Sequence, residues 1–332
     1  MNVDLHTKSI EQLRNTYSHV EKYVKGNKPA TRYEEATFGA QSTTNFHYRP
    51  TWAPDYELFD ASRTKVILDD WYVLRDPRQF YYGNWTMTRA KQQDAMEASY
   101  RFVESKNLLD NIPTPVQKLV CDVILPLRHV AWGGNMNDCN IAAIGYGTVF
   151  TAPAMFHAMD QLGVAQYITR LGLTIGGTEV LDSGKDAWIN QPHWQVLRRY
   201  IEDTFVIEDP FELFIAQNIA LDGQLYEMIF ESFVEQHLTS KGVSAIAMVT
   251  SFINDWFKES SRWIDAVIKI AADESDANNK LISTWVNKWG KRAQSSLEPI
   301  AELAFSEESQ MAIDSSRSKM NERCKKSGLT IK

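Results

Sequence analysis

The sequence predicts an all-α protein, a large helical bundle preceded by an irregular aromatic-rich arm. Three observations carry this. From Thr86 onward the chain is made of long stretches of good helix formers with apolar residues at helical spacing. Only 16 glycines and 11 prolines occur in 332 residues, few for a sandwich or barrel with many turns. And from Phe46 to Trp85 helical periodicity fades, while eleven of forty residues are aromatic against 11% in the whole chain.

Residues 1–85 are expected to form the extended arm. Pro50, Pro54 and Pro77 interrupt it, and its rings would anchor it. Such an arm either packs only on its own domain or also grips another chain. Trp71, Tyr72, Phe80, Tyr81, Tyr82 and Trp85 are the candidate contacts for a second subunit.

Residues 86–306 should hold the helical domain. "TMTRAKQQDAMEASYRFVESKNLL" contains no proline. In "IPTPVQKLVCDVILPLRHVAWGG", Thr114 is expected as N-cap, Pro115 at the first helical position, a kink at Pro126 and an end at Gly133 and Gly134. "CNIAAIGYGTVFTAPAMFHAMDQL" is apolar nearly all round and should be central. "EDPFELFIAQNIALDGQLYEMIFESFVEQHL" opens on Asp209, Pro210 and Glu212, a cap, a first-turn proline and a capping-box glutamate. "VSAIAMVTSFINDWFKESSRWIDAVIKIAA" is another long helix, followed by two shorter ones near 277–291 and 296–305. The stretch 307–332 reads as a polar, loose tail.

Charge and motifs exclude several functions. A formal net charge of −7 gives no support to nucleic-acid binding. Cys121, Cys139 and Cys324 have no metal or redox spacing and suit reduced thiols. No apolar run approaches a membrane span, and the first residues lack a signal-peptide core, so a cytoplasmic location is expected.

A helical bundle can carry a di-iron site, which needs Glu-x-x-His on two helices and carboxylates on two others. Three places before the seven histidines stand Val3, Thr16, Thr44, Pro126, Ala154, Asn190 and Val234, so the motif is absent. Glu227, Glu231 and Glu235 form a stripe away from the apolar face of Leu221, Leu225, Met228, Ile229 and Phe233, and read as a solvated or interfacial edge. Asp94 and Glu97 lie three apart, and one should find a basic partner. Glu259 and Arg262 suit a helical ion pair. His129 reads as a hydrogen-bonded core histidine. "GYGTVF" departs from a dinucleotide loop at Phe150, and no phosphate-loop, zinc or serine-hydrolase motif occurs.

With "DPRQFYYGNW" (Asp76–Trp85), "RHVAWGGNMND" and "DPFELFIAQNIALDGQLYEMIF" in view, the chain resembles the small (β) hydroxylase subunit of bacterial multicomponent monooxygenases over nearly its whole length. Among these it is most similar to the phenol hydroxylase member. The resemblance implies a ferritin-like fold and a hydroxylase built as a dimer of three-subunit protomers. It implies a di-iron centre in the catalytic α subunit, a small γ subunit, NADH used through a separate reductase, and an effector protein. It places no catalytic, metal or cofactor-binding residue on this chain, which would pack against the α subunit and support its ligand helices. Two other readings stand beside it. One is a stand-alone ferritin-like metalloenzyme with ligands from Asp94, Glu97, Asp122 and His129. The other is a helical scaffold unrelated to oxygenases.

Overall fold

The structure, a computed structural model, describes residues 16–26, 28–41 and 49–331; Phe46 and Tyr48 of the aromatic segment lie outside them. All regular structure among these residues is helical. The arm carries two short helices, α1 (Ser18–Glu21) and α2 (Arg32–Thr37), then single 3-10 turns. Thr31 and Glu34 close a capping box that starts α2. Beyond it the arm is held by its rings and by polar staples to distant helices. Trp71 is buried against Tyr146 and Phe150, with ring centroids 5.7 and 6.3 Å away. The Ile67 N–H donates to Asn278 at 3.2 Å, and the Asn278 amide donates back to the Ile67 carbonyl at 2.8 Å. A loop without a ladder needs such partners for its backbone groups.

The first long helix, α3 (Tyr82–Ser105), begins four residues before Thr86, because Gln79 turns the chain with φ 54° and Asn84 accepts the Tyr81 N–H at 2.8 Å. In α4 (Thr114–Ile124), Thr114 is the first helical residue rather than the cap. Pro126 does break the chain, and α5 (Leu127–Ile144) starts at once. Gly133 and Gly134 do not end a helix: α5 runs through them. A Cβ on Gly133 would stand 2.6 Å from Ile201 Cγ2, and one on Gly134 would stand 3.0 Å from Gln161. Their small size serves helix approach, not capping. The apolar stretch expected to be central is divided between two helices that form a hairpin. It turns at Gly145–Gly147, where Gly147 has φ 85°, into α6 (Thr148–Asn190), which kinks at Gly176 and Gly177.

After α7 (Pro192–Thr204), Asp209 caps the next helix as its sequence implies, accepting the Phe211 and Glu212 N–H groups at 2.9 and 3.2 Å. Glu212 closes no capping box; it accepts Lys288 and Trp289 instead, each at 2.8 Å. The rod is continuous but not uniformly α. It passes from α8 (Pro210–Phe214) through a π-helical turn (Ile215–Leu221), α9 (Asp222–Tyr226) and a second π segment (Glu227–Leu238). Every residue from Pro210 to Tyr226 except Glu212 is buried, so this rod is the axis of the bundle.

Around it stand α10 (Ser244–Asp273) and α11 (Asp276–Phe305). The latter is one helix where two were expected. Pro299 costs it a hydrogen bond, but Leu297, Ile300, Ala301 and Ala304 are buried around the proline and hold the rod together. The tail expected to be loose is largely a packed helix, α12 (Ser309–Lys326). Ala312, Ile313, Ser316, Met320 and Cys324 form a narrow buried stripe on an otherwise polar segment. Among the described residues no helix is long and apolar enough to cross a membrane.

Candidate functional site

Inside the bundle the apolar core is interrupted by a buried cluster of polar side chains from α5, α6 and the axial rod. The wide π turn between Ile215 and Leu221 helps to bring Gln217, Asn218 and Asp222 onto this cluster. The Asn218 amide donates to Asp138 Oδ1 at 3.0 Å. Gln161 and Gln217 donate to the two oxygens of Asp222 at 2.9 and 2.8 Å. Tyr226 Oη donates to the Gln161 carbonyl at 2.9 Å, and Asn137 donates to that of Gln217 at 2.9 Å and to Thr204 Oγ1 at 2.7 Å. His157 stacks on Trp256 at 4.9 Å, its Nε2 lying 3.9 Å from Asp138 and 3.8 Å from Asp222, beyond hydrogen-bond reach.

Burial sets the protonation of this cluster. It pushes Asp222 up to about 8, against the pull of its two amide donors, and holds Asp138 well above the usual carboxylate range. Burial, with the Arg78 and Arg89 guanidiniums nearby, keeps His157 neutral.

A charged network lies next to it. Asp160 accepts Arg89 through Nε at 2.7 Å and Nη2 at 2.6 Å, and the indoles of Trp85 and Trp256 at 3.0 Å each. Arg89 also holds Glu259 at 2.8 Å, and Arg78 holds the buried Asp76 at 3.0 Å. Phe80 is flanked by both guanidiniums, 4.6 and 5.3 Å from its ring. The Asp76–Trp85 segment is thus an ion-paired and aromatic clasp onto α3, α6 and α10.

The residues singled out in the sequence fall elsewhere. Asp94 is exposed on α3. Glu97 has found the expected basic partner, Arg170, at 2.5 Å. Asp122 pairs with Lys118 at 2.5 Å. His129 stacks on Trp188, and burial with Arg128 and Lys185 lowers it to about 4. Glu227 and Glu231 pair with Lys319 and Lys258 at 2.7 and 3.4 Å, while Glu235 beside Glu231 is raised by burial and by that like charge. Glu259 turns to Arg89 and Arg78 rather than to Arg262, because those guanidiniums approach across the groove between α3 and α10. Of the aromatic candidates, Trp71 and Phe80 are buried, Tyr72, Tyr81 and Trp85 are half-buried, and Tyr82 is exposed.

The donors at the polar cluster do not fit a di-iron centre. Two irons in a helical bundle require four carboxylates and two histidines. Here one histidine and two aspartates meet, with carboxamides at the other positions, and both Asp222 oxygens already accept amide N–H groups. Among the described residues no group of three or more His, Cys, Asp or Glu could hold a metal ion.

Residues 52–275 match the model of the methane/phenol/alkene hydroxylase family. The chain belongs to that family. It is 43% identical to an oxygenase component of phenol 2-monooxygenase from Pseudomonas sp. strain CF600, over 99% of this chain and 98% of that one. It is 20% identical, over 72% and 74% of the two chains, to the hydroxylase component subunit beta of a toluene-4-monooxygenase system from Ectopseudomonas mendocina. It superposes on the crystal structure of a phenol hydroxylase from Pseudomonas sp. OX1 with a TM-score of 0.91, at 38% identity over 98% of this chain and 99% of that one. The helical architecture is the ferritin-like hydroxylase fold of that family, and the chain is a component of a multicomponent aromatic hydroxylase.

The polar cluster was missed in the sequence because its members sit at no fixed spacing. A signal was present: Gln217, Asn218, Asp222 and Gln224 interrupt an apolar helix, and His157, Asp160 and Gln161 interrupt another. Buried polar groups must answer one another, so polar breaks on two core helices imply a shared network.

Proposed function

We propose that this chain is the small, β-type subunit of an NADH-dependent phenol or arene hydroxylase, with no active site of its own. Its partners are a catalytic α subunit that holds the di-iron centre and a small γ subunit, in a dimer of three-subunit protomers. A reductase and an effector protein join transiently, in the cytoplasm. The observation that carries the reading is the polar cluster: where the bundle's helices converge, carboxamides stand among the carboxyl groups and both Asp222 oxygens already accept amide N–H groups, which leaves one histidine and one unpartnered aspartate oxygen, Asp138 Oδ2, too few for two irons. The relative named as a subunit beta supports it further. The chain's work is then mechanical, presenting a rigid helical surface that keeps the partner's ligand helices in place.

The test is iron content. The chain expressed alone with excess ferrous iron should be folded, helical, nearly iron-free and unable to hydroxylate phenol, and should gain a hydroxylating complex only with its catalytic partner. About two irons per isolated chain, or phenol turnover without a partner, would replace this reading with the stand-alone metalloenzyme. A chain that forms no complex with any family catalytic subunit would be the unrelated scaffold.

A further inference from the structure

One half-buried cation at the edge of the bundle lacks a counter-charge. α12 turns three long basic side chains toward its neighbours. Lys319 meets Glu227 and Arg323 meets Asp265, each at 2.7 Å. Arg317 meets no acid. Among the described residues its one side-chain partner is the Met320 thioether, 3.9 Å away, which is a weak acceptor. Burial lowers the Arg317 guanidinium, and the group acting against this is the Cys324 thiol, itself pushed up to about 12 and so uncharged at neutral pH. A cation taken partly out of water with nothing to answer it is costly.

The fold makes room for this guanidinium. α11 sets Gly290 opposite it, a residue that helix interiors avoid. A Cβ there would fall on Arg317 Nη1 and stand 2.9 Å from its Cζ, so the guanidinium lies against bare helix backbone. It lines a pocket of about 450 Å³ between the two helices. Asn287, Lys291 and Gln294 come to this pocket from α11, and Asp314, Arg317 and Asn321 from α12, at three- and four-residue steps on each. Lys291 adds an exposed second cation. The Asn321 carboxamide has a buried oxygen with no protein partner; turned over, the same amide presents its NH2 group there, and Gln294 offers another. Asp314, exposed at the rim, gives one oxygen to the Gln310 amide at 3.0 Å, and its other oxygen is an acceptor. The planar fork of a guanidinium matches two oxygens of an oxyanion. An acceptor beside the two cations selects an oxyanion that still carries a proton, because Asp314 would repel a fully ionised one.

We propose that the groove between α11 and α12 is a binding site for hydrogen phosphate. Arg317 and Lys291 hold its charged oxygens, Asn321 and Gln294 donate amide N–H groups, and Asp314 accepts the hydrogen bond of its hydroxyl. The ion supplies the counter-charge that Arg317 lacks and joins α12 to α11. The site stands independently of the reading of the chain as a supporting subunit.

The test titrates the full chain at neutral pH with sodium phosphate, at an ionic strength held constant with sodium chloride, and follows calorimetric binding and the melting midpoint. The expected result is one phosphate per chain and a saturable rise in the midpoint. Sodium sulfate, which carries no proton at this pH, should bind at least about tenfold more weakly, and Asp314→Asn should bring the two ions to similar affinity. Arg317→Met should weaken phosphate binding at least about tenfold. Lys291→Gln changes an exposed side chain on which folding does not depend, and it should weaken binding severalfold, so the result does not hang on the Arg317 variant staying folded. No saturable binding to the wild-type chain overturns the proposal. So does equal affinity of the wild-type chain for phosphate and sulfate, which would mark a plain contact of charges. Binding unchanged in both Arg317→Met and Lys291→Gln overturns it too, since the ion would then sit elsewhere.

Discussion

The Arg89–Asp160 pair sets the strength of the clasp between α3 and α6. Its two hydrogen bonds, at 2.7 and 2.6 Å, join side chains that are 17 and 3% exposed. Burial alone would lower the Arg89 guanidinium, but the hydrogen bonds and charges of Asp160 and Glu259 reverse this and raise it. Removing one member of a buried pair costs about 3–5 kcal/mol, because the other charge is left behind. Here Arg89→Met leaves Asp160 two indole donors, at 3.0 Å each, and Arg89 is not fully buried. A loss near the bottom of that range, about 3 kcal/mol, is therefore expected. Asp160→Asn should cost a similar amount, and the double variant much less than the sum, giving a coupling of about 2 kcal/mol. The exposed Lys118–Asp122 pair is as short, at 2.5 Å, yet its side chains are 75 and 37% exposed. Its coupling should stay below about 0.5 kcal/mol. Urea unfolding followed by helical circular dichroism measures both cycles. A coupling for Arg89–Asp160 no larger than that of Lys118–Asp122 would refute the claim that burial, not distance, decides the energy.

Asp222 makes stability depend on pH. Its folded pKa, pushed up to about 8, lies above that of the unfolded chain, so the folded form keeps a proton the unfolded form has lost. Stability should fall as pH rises from about 4 to 8, and Asp138, raised for the same reason, acts in the same direction. Asp222→Asn should flatten this slope in melting midpoints between pH 6 and 9; an unchanged slope would remove Asp222 as its source. Gly133→Ala should destabilise by about 1–3 kcal/mol despite alanine's higher helix propensity, because its Cβ would meet Ile201 at 2.6 Å. The same substitution should cost less in an Ile201→Ala background, which lacks that Cγ2, and an equal cost in both would place the strain elsewhere. Tyr81→Ala and Trp85→Ala should weaken assembly with the catalytic subunit while any intact complex keeps normal iron, as checked by gel filtration and metal analysis.

What could be read from the sequence was what depends on residues near each other in the chain. The Asp209 cap, the break at Pro126 and the long helix from Ser244 to Asp273 each rest on local chemistry, and each is present. Gly133 and Gly134 looked like a C-terminus because glycine permits that turn, but their role comes from Ile201 on α7 and Gln161 on α6, which no local pattern reveals. A gap was expected between 291 and 296 because that stretch is polar on average, but Ala293, Ser296 and Leu297 are buried there and carry α11 through as one helix. α12 looked loose because its average polarity hides a stripe one residue wide. The polar cluster depends on pairings as distant in sequence as Asp138 with Asn218 and Gln161 with Asp222, and the π turn shifts the helical phase on which a sequence wheel is drawn.

The cluster also explains how the centre of this helical frame is held in register. Buried carboxyl groups are costly unless answered, and a metal ion would answer them in their charged form. Here burial favours their protonated form, three of their four oxygens accept amide N–H groups from Asn218, Gln161 and Gln217, and the carbonyls of Gln161 and Gln217 are taken up by Tyr226 and Asn137. Each amide therefore links two helices: Asn218 joins the rod to α5, Gln161 joins α6 to the rod, and Asn137 carries the chain of bonds on to Thr204 of α7. Apolar packing alone would allow these helices to slide past one another at small cost, whereas a directional network admits one register. That register also fixes the outer surface, since the helices presenting Trp132, Met159 and Gly163 outward are the same helices locked by Asn137, Asp138 and Gln161 within.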